Sequence, residues 1–438
     1  MLSGTRRRSF VTRSFDAFVR WPARLTPAIP GLTGQRRETL FWICVLIAVN
    51  QFGFGAIVPV AALYADSFGV SEAAVGLTIA VYGLARFVVS VPAGRIADHF
   101  GRRPLLALGG VITVVGNALC AIAPDYTLFL MARFVAGAGA SMVLSGGQAV
   151  VADSSEPATR GRTMGIYMGV FLFAVGIGPV PGGYLATEFG LTAPFVANAV
   201  LAGVVALIAW FRVPETKDLH ADPAGLPRLP LTLGDQLRML RSIPGLGLIS
   251  IVSFAIFFCR TGALFNVVPI DAERRLGLGP AQIGIALGMV SIIGLALAYP
   301  SGVLVDRFGR KFVITPSTFM TGAALILFAF VPTWEWFLAA SVVWALASGI
   351  SGGAQGAYAA DVVPPGRTAS ALGSYRMVGE AGYVAGPLTL GFLSDLGSPR
   401  LAFVAAAVLV MSAGLAFAML APETLPERAI DASIDQPN

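Results

Sequence analysis

Long apolar runs recur along the whole chain, and each is long enough to cross the roughly 30 Å hydrocarbon core of a bilayer as a helix of about 20 residues. Backbone groups in lipid must form hydrogen bonds within the protein, so only helices or closed barrels can span it, and runs without alternation favour helices. The sequence therefore predicts an all-α polytopic membrane protein with 12 transmembrane helices, at approximately 40–64, 74–95, 104–123, 127–151, 163–187, 190–211, 245–269, 280–303, 312–331, 336–359, 369–394 and 399–420.

The composition excludes several other classes of protein. Only 12% of the residues are charged and 56% are hydrophobic, whereas soluble domains carry about 25% charged residues. The net charge of +6 is too small for a nucleic-acid-binding chain. The sequence shows no phosphate-binding loop, no nucleophile with a base partner and no metal-ligand cluster. We therefore expect no enzymatic activity, no cofactor, no metal and no nucleic-acid partner.

The distribution of Lys and Arg predicts the orientation in the membrane. The first 38 residues include eight Arg and no cleavable signal, which is typical of a cytoplasmic tail; an organellar transit segment is the alternative. With the N-terminus inside, 23 of the 30 Lys and Arg lie in cytoplasmic tails and loops, three lie outside and four lie within spans. This asymmetry predicts a multi-pass protein of a cell membrane, such as a bacterial inner membrane, with both termini cytoplasmic.

The two halves of the chain repeat at a single offset of 208 residues. The matching features are Gly94–Arg103 with Gly302–Lys311, Asp153 with Asp361, Gly165 with Gly373, Gly178-Pro179 with Gly386-Pro387, and Pro214–Thr216 with Pro422–Thr424. Such a repeat predicts two pseudo-symmetric six-helix bundles of the same orientation, which is common in transporters. The expected organisation is a basic cytoplasmic tail (1–38), the first bundle (39–212), a cytoplasmic linker (213–241), the second bundle (242–421) and a cytoplasmic tail (422–438).

These motifs resemble those of a known family of transporters. The segment Gly94–Arg103 resembles the loop signature between the second and third helices of the major facilitator superfamily, and its copy Gly302–Lys311 strengthens the resemblance. Arg133 with Gly137 is similar to the family's arginine motif of the fourth helix. The resemblance covers roughly residues 39–424 and implies the major facilitator fold.

A further motif resembles the fifth-helix motif of the drug/proton antiporters in that superfamily. It comprises Gly165, Ala174 and the run Gly178–Gly183, with Ala174 where the family usually has Gly. Glycines permit close helix approach and prolines favour a kink, so we expect a hinge or a tight seam that limits leakage; ordinary helix packing is the alternative. The candidate residues of this motif are Gly178, Pro179, Gly182 and Gly183.

The loop motif has a physical interpretation of its own. Gly101 can supply a tight turn, and Arg102 can pair with Asp153 at the end of the fourth helix. In the family, the partner of the carboxylate at Asp98 is the start of the eleventh helix, here near residue 369. We expect a cytoplasmic latch between the bundles; charges that merely fix the topology are the alternative. The latch residues are Gly94, Asp98, Gly101, Arg102, Arg103 and Asp153, with Gly302, Asp306, Gly309, Arg310 and Asp361 as the second copy.

Glu380 is the candidate for proton coupling. It lies about 11 residues, or roughly 16 Å, into the eleventh helix and so near the bilayer centre. A charged carboxylate at that depth costs several kcal/mol unless it is paired or faces water, and a desolvated carboxyl group can exchange a proton for substrate. The alternative is that Arg376, four residues earlier on the same helix face, neutralises it permanently. Arg133 is a second candidate, because it could modulate a proton carrier, and the first bundle has no deep acidic residue.

Polar residues within the spans complete a candidate substrate cavity, whose aromatic lining would come from Phe52, Phe54, Tyr82 and Tyr375. For each residue, ordinary helix packing or snorkelling is the alternative. A mixed polar and apolar lining suits an organic compound. The cavity candidates are Asn50, Gln51, Arg86, Gln148, Arg260, Asn266 and Gln355.

The sequence thus predicts a secondary active transporter that exports a small amphipathic organic compound or drug in exchange for protons, by alternating access. Its expected partners are a small-molecule substrate, protons and the lipid bilayer, and the expected state is a monomer. The first alternative is proton-coupled uptake or symport of an organic anion or other small metabolite, because four Arg and one Glu lie within the spans. A membrane sensor or scaffold without transport is a second alternative, and an ATP-driven pump is disfavoured for lack of a nucleotide domain.

Overall fold

The structure is a computed structural model that describes residues 34–155, 160–217, 233–351, 353–363 and 368–424. Most of the expected N-terminal tail, the middle of the linker and the end of the C-terminal tail lie outside the described residues. The described part of the chain is helical throughout and contains no strand. The predicted all-α polytopic fold is confirmed.

Twelve helical spans follow one another along the chain. They are α1 (Gly34–Asp66), α2 (Glu72–Phe100), α3 (Arg102–Ala121), α4 (Tyr126–Ser154), α5 in two segments (Arg160–Ile177 and Pro179–Phe189), α6 (Ala193–Arg212), α7 in three segments (Pro244–Cys259, the π-helical Arg260–Val267 and Val268–Leu276), α8 (Pro280–Phe308), α9 (Arg310–Phe330), α10 in two segments (Trp334–Ser351 and Ala354–Asp361), α11 (Thr368–Leu396) and α12 (Pro399–Leu420). A short linker helix (Leu233–Ser242) precedes α7 and packs against α11.

Eleven of these spans are both long and apolar enough to cross a membrane, by length and composition. The twelfth, α11, has 29 residues, which is also long enough. Arg376 and Glu380 interrupt the apolar middle of this helix, and Asp395 lies near its end. Charges within a span are rare and mark functional positions, so α11 is a candidate helix of the functional site.

The spans pack as two six-helix bundles with the same internal arrangement. In the first bundle α3 packs against α4 and α6, and α2 packs against α4. In the second bundle α9 packs against α10 and α12, and α8 packs against α10. The bundles meet where α2 contacts α11 and where α8 contacts α5. These two junctions are related by the same pseudo-symmetry as the sequence repeat, and the interface between such repeats is where transporter sites are commonly found.

Two glycine turns define one end of the molecule, which we call the motif face. Gly101 joins α2 to α3 with φ of 104°, and Gly309 joins α8 to α9 with φ of 95°. Both φ values lie where only glycine is readily accommodated. The turns that join α1 to α2, α5 to α6, α7 to α8 and α11 to α12 lie at the other end, which we call the opposite face.

Glu215, after the end of α6, fixes the start of α3. Its carboxylate accepts hydrogen bonds from the backbone N–H groups of Arg102 (2.9 Å) and Arg103 (3.1 Å), and also from Thr216 and Lys217. Partial burial raises the pKa of this carboxyl group, but the four backbone donors outweigh it and hold the pKa below its ordinary value. The charged form of Glu215 therefore caps a helix whose first residues are both basic.

Gly101→Ala is expected to lower the melting temperature of the purified protein. Its backbone conformation costs a side chain on the order of 1–3 kcal/mol, and a Cβ there would overlap the Glu215 carboxylate. Gly94→Ala is the matched control, because it lies within α2 and no atom lies within 4 Å of the position of its Cβ. Thermal unfolding in detergent measures both. A Gly101→Ala protein as stable as the Gly94→Ala protein would contradict this account of the turn.

Candidate functional site

The two bundles are in backbone contact near the opposite face, at four glycines. A Cβ on Gly76 would overlap the carbonyl oxygen of Pro387, and one on Gly391 would overlap that of Glu72, so α2 and α11 touch there. The same relations join α8 to α5: Gly284 meets the Pro179 carbonyl and Gly183 meets the Pro280 carbonyl. All four contacts obey the 208-residue offset. The seam between the bundles is therefore closed on this side by a pseudo-symmetric pair of contacts.

Charged residues fasten the same side of the seam. The Asp395 carboxylate, on α11, accepts hydrogen bonds from the backbone N–H groups of Glu72 (2.8 Å) and Ala73 (2.9 Å) at the start of α2. Arg274, at the end of α7, pairs with Asp66 at 2.6 Å and with Glu72 at 2.9 Å. Every one of these interactions joins one bundle to the other. We call Asp66, Glu72, Arg274 and Asp395 the opposite-face lock.

Sequence reasoning missed this lock, although one signal was present. Asp66 and Glu72 flank the turn after α1, and Arg274 and Asp395 lie close to turns on the same face but in the other half of the chain. Opposite charges at turns of the two halves on one face are a signal of contacts between the bundles.

The predicted pair of Arg102 with Asp153 is present, and the latch ion pairs that the structure describes each lie within one bundle. Arg102 pairs with Asp98 at 3.0 Å and with Asp153 at 2.9 Å, all in the first bundle, and the Asp98 side chain is 74% exposed. Arg310 pairs with Asp361 at 3.0 Å, within the second bundle. The side chains of Asp306 and of residues 364–370, where the partner of Asp98 was expected, lie outside the described residues. The motif ion pairs that the structure describes therefore brace α2–α4 and α8–α10, and the link between the bundles at Asp98 stays a prediction.

The other motif positions also have local partners or face open space. The Arg103 guanidinium lies over the ring of Trp210, with 4.8 Å from Cζ to the ring centroid. No atom lies within 4 Å of the position that a Cβ would take on four glycines near the motif face: Gly94, Gly165, Gly302 and Gly373. These glycines are related in pairs by the repeat. In the described part of the chain, the gap between the bundles therefore opens towards the motif face.

The fifth-helix motif lies on the closed side of this gap. A Cβ on Gly178 or Gly182 would overlap α1 backbone at Phe52 or Ala56, and Gly183 contacts α8 at Pro280. The α5 helix breaks at Gly178, with Pro179 opening the next segment. The motif thus lies where three helices meet, a position that fits the seam predicted from its glycines.

Glu380 forms an ion pair across the gap. Its Oε1 lies 3.5 Å from an Nη atom of Arg86 on α2, and the two side chains are 29% and 22% exposed. Arg376, the partner considered from sequence, is exposed on α11 and forms no ion pair with Glu380 in the structure. The candidate proton-coupling residue therefore links α11 to α2, and the proposed intrahelical neutralisation does not occur here.

Arg133 lies deeper in the same region and has a different environment. Its side chain is 3% exposed, and its guanidinium stacks over the Tyr82 ring at 4.5 Å. Tyr82 in turn stacks on Phe54, with 5.4 Å between ring centroids. On the facing bundle, the π-helical segment of α7 presents Arg260 beside the Phe265 ring, at 5.6 Å. Such π-helical turns are rare and occur frequently at functional sites.

The remaining cavity candidates divide into two groups. Asn50 donates a hydrogen bond to Gln51 at 2.9 Å, and both residues are buried. Asn266 donates to the Pro387 carbonyl and Gln355 accepts from the Tyr375 hydroxyl, so both join neighbouring helices. Gln148 is half-buried. Of the predicted cavity residues, Arg86 and Arg260 are the charged ones that the gap exposes.

Comparisons with known proteins all point to one protein family. The model of the Major Facilitator Superfamily matches residues 43–275 and 249–437. Multidrug resistance protein 1 of Bacillus subtilis is 25% identical over 401 residues, which cover 89% of this chain and 98% of that protein. The class C tetracycline resistance protein of Escherichia coli is 27% identical over 309 residues, 68% of this chain and 74% of that protein.

Solved structures show the same fold at lower identity. A bacterial homologue of the human lysosomal transporter Spinster, inward-facing and unoccupied, has a TM-score of 0.72 and 17% identity, covering 88% of this chain and 96% of that one. The human organic anion transporter MFSD10 has a TM-score of 0.64 and 18% identity, covering 87% of this chain and 99% of that one. Because the family model matches both bundles, this chain belongs to the Major Facilitator Superfamily and is a membrane transporter, not an enzyme.

Proposed function

We propose that this protein exports a small amphipathic organic compound in exchange for protons by alternating access, with the motif face towards the cytoplasm. The excess of Lys and Arg in the loops and tails of that face supports the orientation. Relatives named for multidrug and tetracycline resistance support export. The compound would enter the gap from the motif face, and the seam at the opposite face would then open to release it.

The ion pair between Arg86 and Glu380 carries the proposal. It connects α2 to α11, one of the two junctions between the bundles, and it is partly accessible from the gap. A proton on Glu380 removes the negative charge that attracts Arg86, and loss of the proton restores it. Protonation therefore changes the free energy with which the two bundles hold together, and this is the linkage that proton coupling needs.

Opening and closing of the seam provides the conformational change that the transport cycle needs. In the present conformation the opposite-face lock and the four seam glycines hold the bundles together on one side. The glycines at positions 94, 165, 302 and 373 face an open gap on the other side. When the seam opens, α2 and α11 would close at Gly94 and Gly373, and α8 and α5 would close at Gly302 and Gly165, because small residues let helices approach closely.

A second candidate is proton-coupled symport of an organic anion. The observation that favours it is the charge around Tyr383, where Arg86, Arg133 and Arg260 lie together with the carboxylate of Glu380. A sensor or scaffold without turnover is the remaining alternative, and substrate-dependent flux separates it from both transport modes.

Glu380→Gln is expected to reduce compound-driven proton movement at least ten-fold, because the amide can neither bind nor release the coupled proton. The assay adds cationic, neutral and anionic amphipathic compounds to acidified inverted membrane vesicles and follows proton release with a pH-sensitive dye. Glu188→Gln is the matched control, since Glu188 is exposed near the end of α5 and away from the gap. Undiminished release by the Glu380→Gln protein would remove Glu380 from the coupling route.

Arg274→Gln is expected to open the opposite face more often. Exposed ion pairs contribute up to about 1 kcal/mol, and a loss of that size shifts a two-state population up to about five-fold. The measurement is labelling of a cysteine placed at Ile79, in a protein without native cysteines, by an impermeant thiol reagent applied to the opposite face. Arg400→Gln, exposed on the same face but with its ring contact inside the second bundle, is the control. Equal labelling rates would contradict a locking role for Arg274.

Gly165→Leu is expected to abolish transport and leave the melting temperature unchanged. Nothing lies within 4 Å of its Cβ position in the present conformation, so the fold tolerates the side chain, but closure against α8 does not. Gly203→Leu on α6 is the control, because its Cβ position has one ordinary contact at 3.8 Å and lies away from the gap. Transport by Gly165→Leu at the wild-type rate would show that α5 and α8 do not close at this position.

A further inference from the structure

We propose that Glu72 is a proton-binding site at the opposite face, and that a proton on its carboxyl group stabilises the closed seam. The inference rests on the orientation and the seam opening of the proposed function, and it adds a regulator: acid outside the cell favours the closed conformation. This proton returns to the side from which it came, so it is distinct from the proton that Glu380 exchanges. The evidence is an unpaired carboxylate oxygen in the opposite-face lock and the negative charge around it.

The side chain of Glu72 is the most buried carboxylate of the lock. It is 9% exposed, compared with 17% for Asp66, and Asp395 is exposed. One of its oxygens, Oε1, accepts a hydrogen bond from Arg274 at 2.9 Å. The other oxygen, Oε2, is buried and has no hydrogen-bond partner among the described residues. Because a charged carboxylate spreads its charge over both oxygens, a buried oxygen without a donor disfavours the charged form.

A hydroxyl group that can accept a hydrogen bond from the protonated acid lies across the seam. The Ser394 side chain, on α11, is buried beside the Glu72 carboxyl group, and its Oγ has no hydrogen-bond partner in the described part of the chain. With a proton on Oε2, Glu72 can donate to this Oγ while Oε1 still accepts from Arg274. One proton therefore provides a partner for two buried atoms and adds a hydrogen bond between the bundles.

The charged groups that surround Glu72 are mostly negative. They are Asp66 on α1, Glu273 and Arg274 on α7, and Asp395 on α11. Four carboxyl groups, including that of Glu72, thus share one guanidinium group. That guanidinium is half exposed and lies closer to Asp66, at 2.6 Å, than to Glu72. Neutralising Glu72 therefore relieves repulsion between the carboxylates and leaves Arg274 with a charged partner.

The other titratable groups nearby are less suited to hold the proton. Both carboxylate oxygens of Asp395 accept hydrogen bonds from backbone N–H groups, which favours the charged form. Asp66 has the shorter contact with Arg274, and Glu273 is exposed, so that water solvates its charge. On α4, the Tyr126 hydroxyl donates to a backbone carbonyl at 2.6 Å. The proton is therefore assigned to Glu72.

Opening of the seam reverses these conditions. The second bundle carries Ser394 and Asp395 away from α2, and water then reaches the Glu72 carboxylate, so the charged form is no longer disfavoured. The proton thus binds more tightly in the closed conformation than in the open one. By reciprocity, a bound proton favours closure. After a compound has been released, outside acid would favour the return to the conformation that is open at the motif face.

The test measures the distance between the bundles at the opposite face at two pH values. Spin labels are attached to cysteines placed at Glu188 and Leu396, which are exposed near the ends of α5 and α11. The labelled protein has no native cysteines and carries Glu380→Gln, which removes the proton of the gap. Double electron–electron resonance in nanodiscs gives the ratio of closed to open populations. Between about pH 7.5 and about pH 5.5, we expect this ratio to rise at least about five-fold, within the roughly 100-fold that one proton can produce over two pH units.

Two variants and a control identify the group that binds the proton. Glu72→Gln is expected to stay closed at both pH values, because the amide accepts from Arg274 and donates to Ser394 as the protonated acid does. Ser394→Ala removes the acceptor and is expected to reduce the pH response at least about two-fold. Glu273→Gln is the matched control, since it removes an exposed carboxylate of the same group and is expected to keep the response.

Several results would overturn the proposal. They are a population ratio that does not change with pH, a ratio that falls in acid, and a Glu72→Gln protein that responds to pH as the Glu273→Gln protein does. The Ser394→Ala protein keeps the test independent of the stability of the Glu72→Gln protein. A full pH response of the Ser394→Ala protein would overturn the proposal as well.

The vesicle assay on the wild-type protein distinguishes failure of this inference from failure of the proposed function. A seam that closes in acid through Glu72, without any compound-driven proton movement, would support the Glu72 site and reject the proposed exchange. Compound-driven proton exchange by the wild-type protein, together with a seam that does not respond to pH in the Glu380→Gln protein, would reject the Glu72 site and support the exchange.

Discussion

Backbone contact through glycine is the constraint on which this structure depends. Lipid offers no hydrophobic driving force between helices, so two bundles in a membrane hold together only where their backbones approach closely or their polar groups pair. Gly76, Gly183, Gly284 and Gly391 supply that approach, and the repeat makes each contact on α2 and α11 recur on α8 and α5. A seam made of two equivalent junctions can open as a unit, because one relative rotation separates both.

The charged residues that join the bundles lie at two depths in the molecule, one beside the closed seam and one in the open gap. The opposite-face lock lies beside the seam, and the pair of Arg86 with Glu380 lies in the open gap. Pairs with partial exposure contribute about 1 kcal/mol or less each, so the ion pairs together add at most a few kcal/mol to the closed seam. That is the range in which a bound proton or compound can shift a population between two conformations. The two bundles are therefore held together strongly enough to keep the opposite face closed and weakly enough to change conformation.

The sequence predicted those features of the fold that depend on local residue patterns. Helix number, the repeat, the turn at Gly101 and the pair of Arg102 with Asp153 follow from hydropathy and spacing. Contacts between bundles did not follow, because they depend on how each helix is rotated. Spacing alone offered Arg376 as a possible partner of Glu380, whereas the partner in the structure is Arg86, 294 residues away. Asn50 and Gln51, predicted to line the cavity, form a buried hydrogen bond with each other, which no sequence pattern indicated.

Arg86 and Arg133 lie in one region, but only the charge of Arg86 is neutralised by a partner. This difference links the binding of the proton to the binding of the compound. Arg86 has a carboxylate partner and Arg133 has none. A proton on Glu380 increases the positive surplus in the gap, so an anion binds there more tightly, and by reciprocity a bound anion raises the affinity of Glu380 for its proton. A cationic compound has the opposite effect and competes with the proton. The charge of the compound therefore sets the sign of the coupling: competition gives exchange, and mutual support gives symport.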